Sequence, residues 1–175
     1  MLGHLPYTET NAADLVDVGS YRQSGRVVKL CRPARDSFLK MSAAARADHI
    51  VLIPISGFRE IAYQGSLFQK AIEHYGTEVA AARWVAPPGF SEHHTGLALD
   101  IGDGATPDTD VETQFETTAA SQWLLENASR FGFELSFPKE NGQSVAYEPW
   151  HWRFVGDSES RGKFERARIQ LQTIP

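Results

Sequence analysis

A single cysteine, Cys31, leaves the chain without an intramolecular disulfide. Oxidising and reducing compartments are therefore both open to it, and Cys31 reads as a small packing residue. No stretch approaches the ~18 consecutive apolar residues that a membrane-spanning helix needs. No lysine or arginine run occurs, and the formal net charge is −5. That balance argues against a nucleic-acid binder, which needs a basic footprint to neutralise phosphates. Met1 to Tyr7 hold neither the basic start nor the apolar core of an export signal. The expectation is a cytoplasmic chain, or a periplasmic cell-envelope domain if an export segment is missing from this sequence. There is no internal repeat and no low-complexity linker.

What is present is ordinary for a globular protein: 175 residues, 42% hydrophobic and 22% charged. This length fits one domain with a sizeable core. Residues 1–30 read as irregular, with a short strand at Val27–Leu30. Residues 34–47 carry Phe38, Leu39, Met41 and Ala45 at helical spacing. His49 to Ile55 is a short β-branched run, hence a buried strand, and Pro54 puts its end at an edge or bulge. A helix is expected from about Glu60 to Tyr75, with Gly76 closing it, and a shorter one over Glu78 to Trp84. Leu97 to Ile101 reads as a strand, the acidic stretch 103–112 as a solvated loop, and 114–131 as an amphipathic helix. Phe133 to Phe137 and Trp150 to Val155 read as strands, and 158–171 as a helix. The elements alternate without a regular βαβ rhythm. The expected fold is α+β: one domain with a mostly antiparallel central sheet flanked by helices.

Two segments carry chemistry: Ser91-Glu92-His93-His94-Thr95-Gly96-Leu97-Ala98-Leu99-Asp100 and Glu148-Pro149-Trp150-His151. His93, Asp100 and His151 offer two imidazoles and one carboxylate, a ligand set that suits Zn²⁺ and leaves a position for water. A water bound there can ionise near neutral pH, with Glu148 as the base that takes its proton. His93 and Asp100 are seven apart and would face opposite ways on a straight strand. Thr95-Gly96 supplies the bend that lets them converge, and the small Ala98 leaves room beside the metal. Pro149 keeps Glu148 extended, so it approaches from the loop before the strand. Within that strand His151, Arg153 and Val155 share one face; Trp150, Trp152 and Phe154 share the other.

Taken singly, these residues have plainer readings. Asp100 inside an apolar strand is costly unless paired or metal-bound, and alone it reads as a structural salt bridge. Glu148 to His151 alone read as a turn into an aromatic strand. The joint pattern favours the metal. His4, His49 and His74 read as isolated surface or hydrogen-bonded histidines. Trp84, Trp150 and Trp152 are candidate cleft walls, with core packing the better reading for Trp152.

The pattern Ser91-x-His93-x-x-Gly96-x-Ala98-x-Asp100 with Glu148-x-x-His151 resembles the metallopeptidase family that joins lysostaphin-type endopeptidases, D-alanyl-D-alanine carboxypeptidases and the sonic hedgehog amino-terminal domain. Ser56-Gly57-Phe58-Arg59 with Gln64, and Glu148 to His151 followed by Phe154-Val155-Gly156, resemble the VanY-type D,D-carboxypeptidases in particular. The resemblance runs from about residue 33 to 157. It implies an irregular segment, 1–30, packed on a metallopeptidase domain, 31–175, with the zinc site in a cleft on the sheet. It implies His93, Asp100 and His151 as zinc ligands, Glu148 as catalytic base, and Arg59 facing the substrate carbonyl or carboxylate. Ser91 and Gln64 match positions near the terminal D-alanine. Two positions depart from the pattern. The segment Gly132-Phe133-Glu134 lacks an arginine common after Gly-Phe, and His94 stands where glutamine is common.

The implied activity is a zinc D-alanyl-D-alanine carboxypeptidase acting on peptidoglycan stem peptides that end in D-Ala. The expected form is a monomer, with no nucleic-acid partner and no membrane segment. An L,D-carboxypeptidase that releases D-Ala from tetrapeptide stems would use the same machinery. A non-hydrolytic zinc module binding cell-wall peptide or protein is the alternative from another class, and the presence of Glu148 argues against it.

Overall fold

In the computed structural model, which describes residues 1–172, a four-stranded antiparallel sheet carries the molecule. Its strands are β3 (Leu52–Ser56), β4 (Ala98–Asp103), β5 (Phe133–Leu135) and β6 (His151–Phe154), in the order β3-β4-β6-β5. A separate antiparallel hairpin joins β1 (Leu15–Tyr21) to β2 (Arg26–Cys31). Five helices complete the fold: α1 (Arg32–Ala47), α2 (Ile61–Tyr75), α3 (Glu78–Ala81), α4 (Ala119–Asn127) and α5 (Ser158–Gln172). No helix among the described residues is long and apolar enough to cross a membrane.

β4 is the centre of the core. All six of its residues are buried, although only Ala98, Leu99 and Ile101 carry apolar side chains: Asp100 is paired with His93 and His151, and Asp103 with the start of α4. α1 presents Ala34, Phe38, Met41 and Ala45 to this core. Leu39, expected on the same face, is exposed. Pro54 marks both features that a strand proline implies. β3 is an edge strand, and its pairing with β4 shifts register between Pro54 and Ser56. At the other end His49, at φ 63°, ends the α1 turn, so β3 starts only at Leu52.

The expectation of an irregular 1–30 is corrected by the β1–β2 hairpin. Its apolar alternation is weak in sequence because the hairpin lies on the flank and β1 stays half-exposed. A register shift between Asp17 and Gly19 breaks the period further. The single helix expected over 114–131 is divided. A short turn at Thr113–Thr117 precedes α4, and another at Ala128–Phe131 follows it. The break lies at Thr118, whose Oγ1 accepts from the Ser121 N–H at 3.1 Å. Asp103 Oδ2 accepts from Ala120 N–H at 3.1 Å, so two side chains cap the start of α4.

The acidic stretch 103–112 is not simply solvated. Asp103 is buried, and Asp110 accepts from Arg22 Nε and Nη2 at 2.6 and 2.7 Å. The hairpin and this loop are thus tied by an ion pair that neither segment advertises locally. The strand expected over 133–137 stops at Leu135, because Ser136 turns its hydroxyl toward Glu92. The short helix expected to Trp84 ends at Ala81. Cys31 is buried, as a packing residue should be.

Candidate metal centre and cleft

Asp100 and His151 are directly opposite one another in the β4–β6 ladder. Opposed residues in an antiparallel pair have Cβ atoms about 4.5–5.5 Å apart. The sheet itself therefore brings the carboxylate to the imidazole, with Asp100 Oδ1 3.0 Å from His151 Nδ1.

His93 arrives from outside the sheet. Ser91 caps a short turn over Glu92–Thr95, its Oγ accepting from His93 N–H at 3.3 Å. Gly96 closes that turn at φ 65°, and a Cβ there would stand 2.9 Å from Cys31 Sγ. Both the backbone angle and the close approach require glycine. The bend inferred at Thr95-Gly96 is where β4 begins to be approached, and His93 Nε2 ends 3.3 Å from Asp100 Oδ2. His93 Nδ1–H donates to Gly57 O at 2.6 Å, which fixes the tautomer and leaves an Nε2 lone pair. That Nε2 is buried with no hydrogen-bond partner. One ligand atom from each of His93, Asp100 and His151 lies within 4.8 Å of the others. An orphaned buried imidazole nitrogen beside a carboxylate and a second imidazole fits a divalent metal of the zinc type.

Arg59 follows β3 and is fixed at both backbone ends. Its N–H donates to His93 O at 3.2 Å, and its carbonyl accepts from His94 Nδ1–H at 2.7 Å. His94 Nε2 in turn accepts from Gly89 N–H at 3.1 Å. His94 therefore supports the loops around the site and is not among the clustered ligands. The Arg59 guanidinium donates to Asp100 Oδ2 at 3.2 Å and to Gln64 Oε1 at 3.0 Å. Gln64 Nε2 donates to Ala86 O at 2.8 Å. Both ends of the Gln64 amide are engaged, so it acts on the cleft through Arg59. Arg59 Nε is buried without a partner.

Glu148 is buried on the loop entering β6, with Oε2 3.8 Å from His151 Nδ1. Burial pushes its carboxyl up to about 8. Burial likewise pushes the His93 imidazole down to about 4, helped by the Arg59 charge. His151 goes the other way. Burial opposes its protonation, but hydrogen bonds and charge from Asp100 and Glu92 raise it to about 10. Asp100 is held well below the usual carboxylate range: burial works against ionisation, and the two imidazoles outweigh it. A metal at this point would take the place of the proton that His151 Nδ1 shares with Asp100.

These groups open into a cavity of about 320 Å³. Arg59, Gln64, Ser91, His93, Glu148 and His151 line it, together with the apolar side chains of Leu67, Ala71, Tyr75 and Trp84. Trp84 is a cleft wall and is 41% exposed, whereas Trp150 and Trp152 belong to the core. Two histidines set aside from the site line the cavity after all. They are His4, from the N-terminal segment, and His74, from α2. Nothing near either in sequence marked them, because the contacts are made across the fold.

Glu92 is the larger omission. It lies within the motif, yet its role is visible only in space. Oε2 stands 3.0 Å from His151 Nε2 and accepts from Ser136 Oγ at 2.6 Å. Oε1 accepts from Arg153 Nη1 at 2.7 Å and Tyr7 OH at 3.3 Å. Burial would raise its pKa, but His151 and Arg153 hold it far below the usual range. The one available signal was the strand alternation, which puts Arg153 on the His151 face. Glu134, at the position of the absent arginine, pairs with Arg153 at 2.6 Å.

A family model for VanY, D-alanyl-D-alanine carboxypeptidase, matches residues 28–157. A D-alanyl-D-alanine carboxypeptidase of Enterococcus faecalis is 36% identical over 123 residues, which cover 65% of this chain and 43% of that protein. The chain spans about half the length of the curated relatives it first matches. Among solved structures, the LdcB LD-carboxypeptidase aligns with TM-score 0.76 and 28% identity, covering 95% of this chain and 80% of the other. The vancomycin-resistance D,D-pentapeptidase VanY, in complex with Zn(II), aligns with TM-score 0.67 and 27% identity, covering 93% of each chain.

Proposed function

The chain belongs to the VanY D-alanyl-D-alanine carboxypeptidase family, and from that membership we propose that it is a zinc-dependent carboxypeptidase removing the terminal D-alanine of peptidoglycan stem peptides or their precursors. One observation carries the reading. Three buried ligand atoms of His93, Asp100 and His151 converge, and a buried carboxylate, Glu148, stands just outside them. His93 would bind through Nε2 and His151 through Nδ1. Zinc bound there supplies Lewis acidity toward the scissile carbonyl and a water acidic enough to ionise near neutral pH.

The remaining chemistry falls to the chain's own residues. Glu148 takes the proton of the attacking water and returns it to the leaving amine. Its place beside the ligand cluster, 3.8 Å from His151 Nδ1, suits a carboxylate to both transfers. Arg59 presents a rigid cation to the cleft, to clamp the terminal carboxylate or to stabilise the developing oxyanion. Gln64 anchors one end of the guanidinium by accepting from Nη1, and Ser91 sets the turn that delivers His93 and lines the position expected for the D-alanine. Leu67 and Ala71 add apolar surface to the same cavity. The segment 1–30 is read as packing on the domain from 31 and is joined to it through β2, with Leu5, Tyr7, Val28 and Leu30 in the shared core.

The specific rival is L,D cleavage, favoured by the likeness to LdcB. Both reactions use one zinc centre, so the substrate separates them. Purified chain should hold about one zinc and release D-alanine from a pentapeptide stem ending in D-Ala-D-Ala. Release from a tetrapeptide stem alone would transfer the assignment to the L,D reaction. A zinc-loaded chain that releases nothing from either stem would leave a binding module.

A further inference from the structure

We propose that Glu92 is a positioning residue that sets the tautomer of His151, so that its Nδ1 carries the lone pair facing His93 and Asp100. The inference rests on the metal site proposed above and deepens it.

The two imidazoles of the site are mounted in opposite senses. His93 gives its Nδ1 proton to a backbone carbonyl, Gly57 O, and so frees Nε2. His151 has the reverse arrangement, with Nε2 against Glu92 Oε2 at 3.0 Å and Nδ1 toward Asp100. A carboxylate at Nε2 accepts only, so the ring keeps a proton there, and a metal that displaces the Nδ1 proton shared with Asp100 would find the lone pair at Nδ1. Such a partner also makes the imidazole a more basic ligand and fixes its orientation.

Glu92 is itself immobilised to do this. It is 3% exposed, and each oxygen takes two donors: His151 and Ser136 on one, Arg153 and Tyr7 on the other. Arg153 is braced in turn by Glu134 at 2.6 Å. A simple ion pair with Arg153 would occupy only Oε1. The remaining oxygen, directed at a ring nitrogen of a site histidine, is what a purely structural pair does not require.

The substitution Glu92→Gln exposes the logic. Its single oxygen must serve either Arg153 or His151, and the buried guanidinium claims it. The amide NH₂ then faces His151 Nε2 and forces the proton to Nδ1, against the metal. Zinc affinity, measured by competition with a chromophoric chelator, should fall about 10–100-fold, the usual cost of losing a partner to a metal-bound histidine. In zinc-loaded protein, ¹H–¹⁵N spectra of the wild type should show a protonated Nε2 and a metal-bound Nδ1 on His151.

The double variant Glu92→Gln/Arg153→Met removes the competing cation. It leaves no unpaired buried charge, so it keeps the test open if the single variant fails to fold. Its amide oxygen is free to accept from Nε2, and zinc affinity should recover to within about 10-fold of wild type. Glu92→Asp should rank between wild type and Glu92→Gln. Unchanged zinc affinity in Glu92→Gln, or a double variant no better than 100-fold below wild type, overturns the proposal while leaving the metal site intact. A wild-type chain that binds no zinc overturns the metal reading and this inference with it.

Discussion

Half of the site hangs on the sheet and half on loops, and the two halves are held by different physics. Asp100 and His151 face each other across β4 and β6, positioned by a ladder of backbone hydrogen bonds. His93, Arg59 and Glu148 stand on connections. Each is held by individual bonds: His93 by Gly57 O, Arg59 by His93 and His94, Glu148 N–H by Phe137 O at 3.1 Å. A ladder distributes its constraint over many residues. A loop mount depends on one or two contacts and needs turn chemistry such as Ser91 and Gly96 to aim it. The difference teaches where rigidity matters most. The sheet supplies a fixed pair, Asp100 and His151, and the loops bring His93, Glu148 and Arg59 to it.

The largest effect should follow from breaking the sheet half. Asp100→Ala should lose bound zinc and all measurable D-alanine release, read by metal analysis and an amino-acid release assay. The neutral variant also strands Arg59 and His151 beside an empty position, so a lower melting temperature should accompany the loss. An Asp100→Ala chain that keeps zinc would move the metal onto the loop half.

Next comes the base. Glu148→Gln should retain zinc, since its carboxylate lies outside the ligand cluster, while turnover falls by ~10²–10⁴-fold. Loss of zinc instead would make Glu148 a ligand and require another base. Arg59→Ala should lower kcat/KM by ~10²-fold with zinc content unchanged, the scale of losing one preorganised donor. A rise in KM alone would mark a carboxylate clamp, and a fall in kcat a transition-state contact. Lysine should recover only part of the loss, because it lacks the planar fork that reaches both Asp100 and Gln64.

The smallest effect concerns stability without metal. Burial pushes Glu148 up to about 8, above its ordinary 4.5. Between those values the folded chain holds a proton that the unfolded chain has lost, so stability falls as pH rises through that window. Glu148→Gln carries no such penalty. In urea unfolding of the zinc-free proteins, the variant should gain on wild type from pH 4.5 upward, and the gap should level off above pH 8. A constant difference across the window would show that Glu148 titrates normally and that the loop half is more solvated than its packing implies.

The sequence by itself singled out His93, Asp100 and His151 as candidate ligands, the bend at Gly96 and the strand around Asp100. Each is written locally: imidazoles and carboxylates at fixed spacing, a glycine where the chain must turn, apolar Leu97, Ala98, Leu99 and Ile101 about one carboxylate. The continuous apolar run at 49–55, expected as a buried strand, is instead the half-buried edge strand β3. Pro54 announced an edge or a bulge for the same reason, since a missing N–H limits a strand wherever it occurs, and β3 has both the edge position and a register shift. Only the tertiary structure decided the rest. The β1–β2 hairpin escaped because half-exposed flank strands need little apolar alternation. The break at Thr118 escaped because Asp103, far away in sequence, supplies one of its caps. Glu92, Arg153, Ser136 and Tyr7 form one hydrogen-bonded group from four separate segments. His4 and His74 reach the cleft in the same way, one from the N-terminal segment and one from α2. No residue carries a local mark of a partner that only folding brings within 3 Å. Which nitrogen of His151 faces Asp100 and which faces Glu92 is therefore a property of the packed core, although the histidine was plain in the sequence.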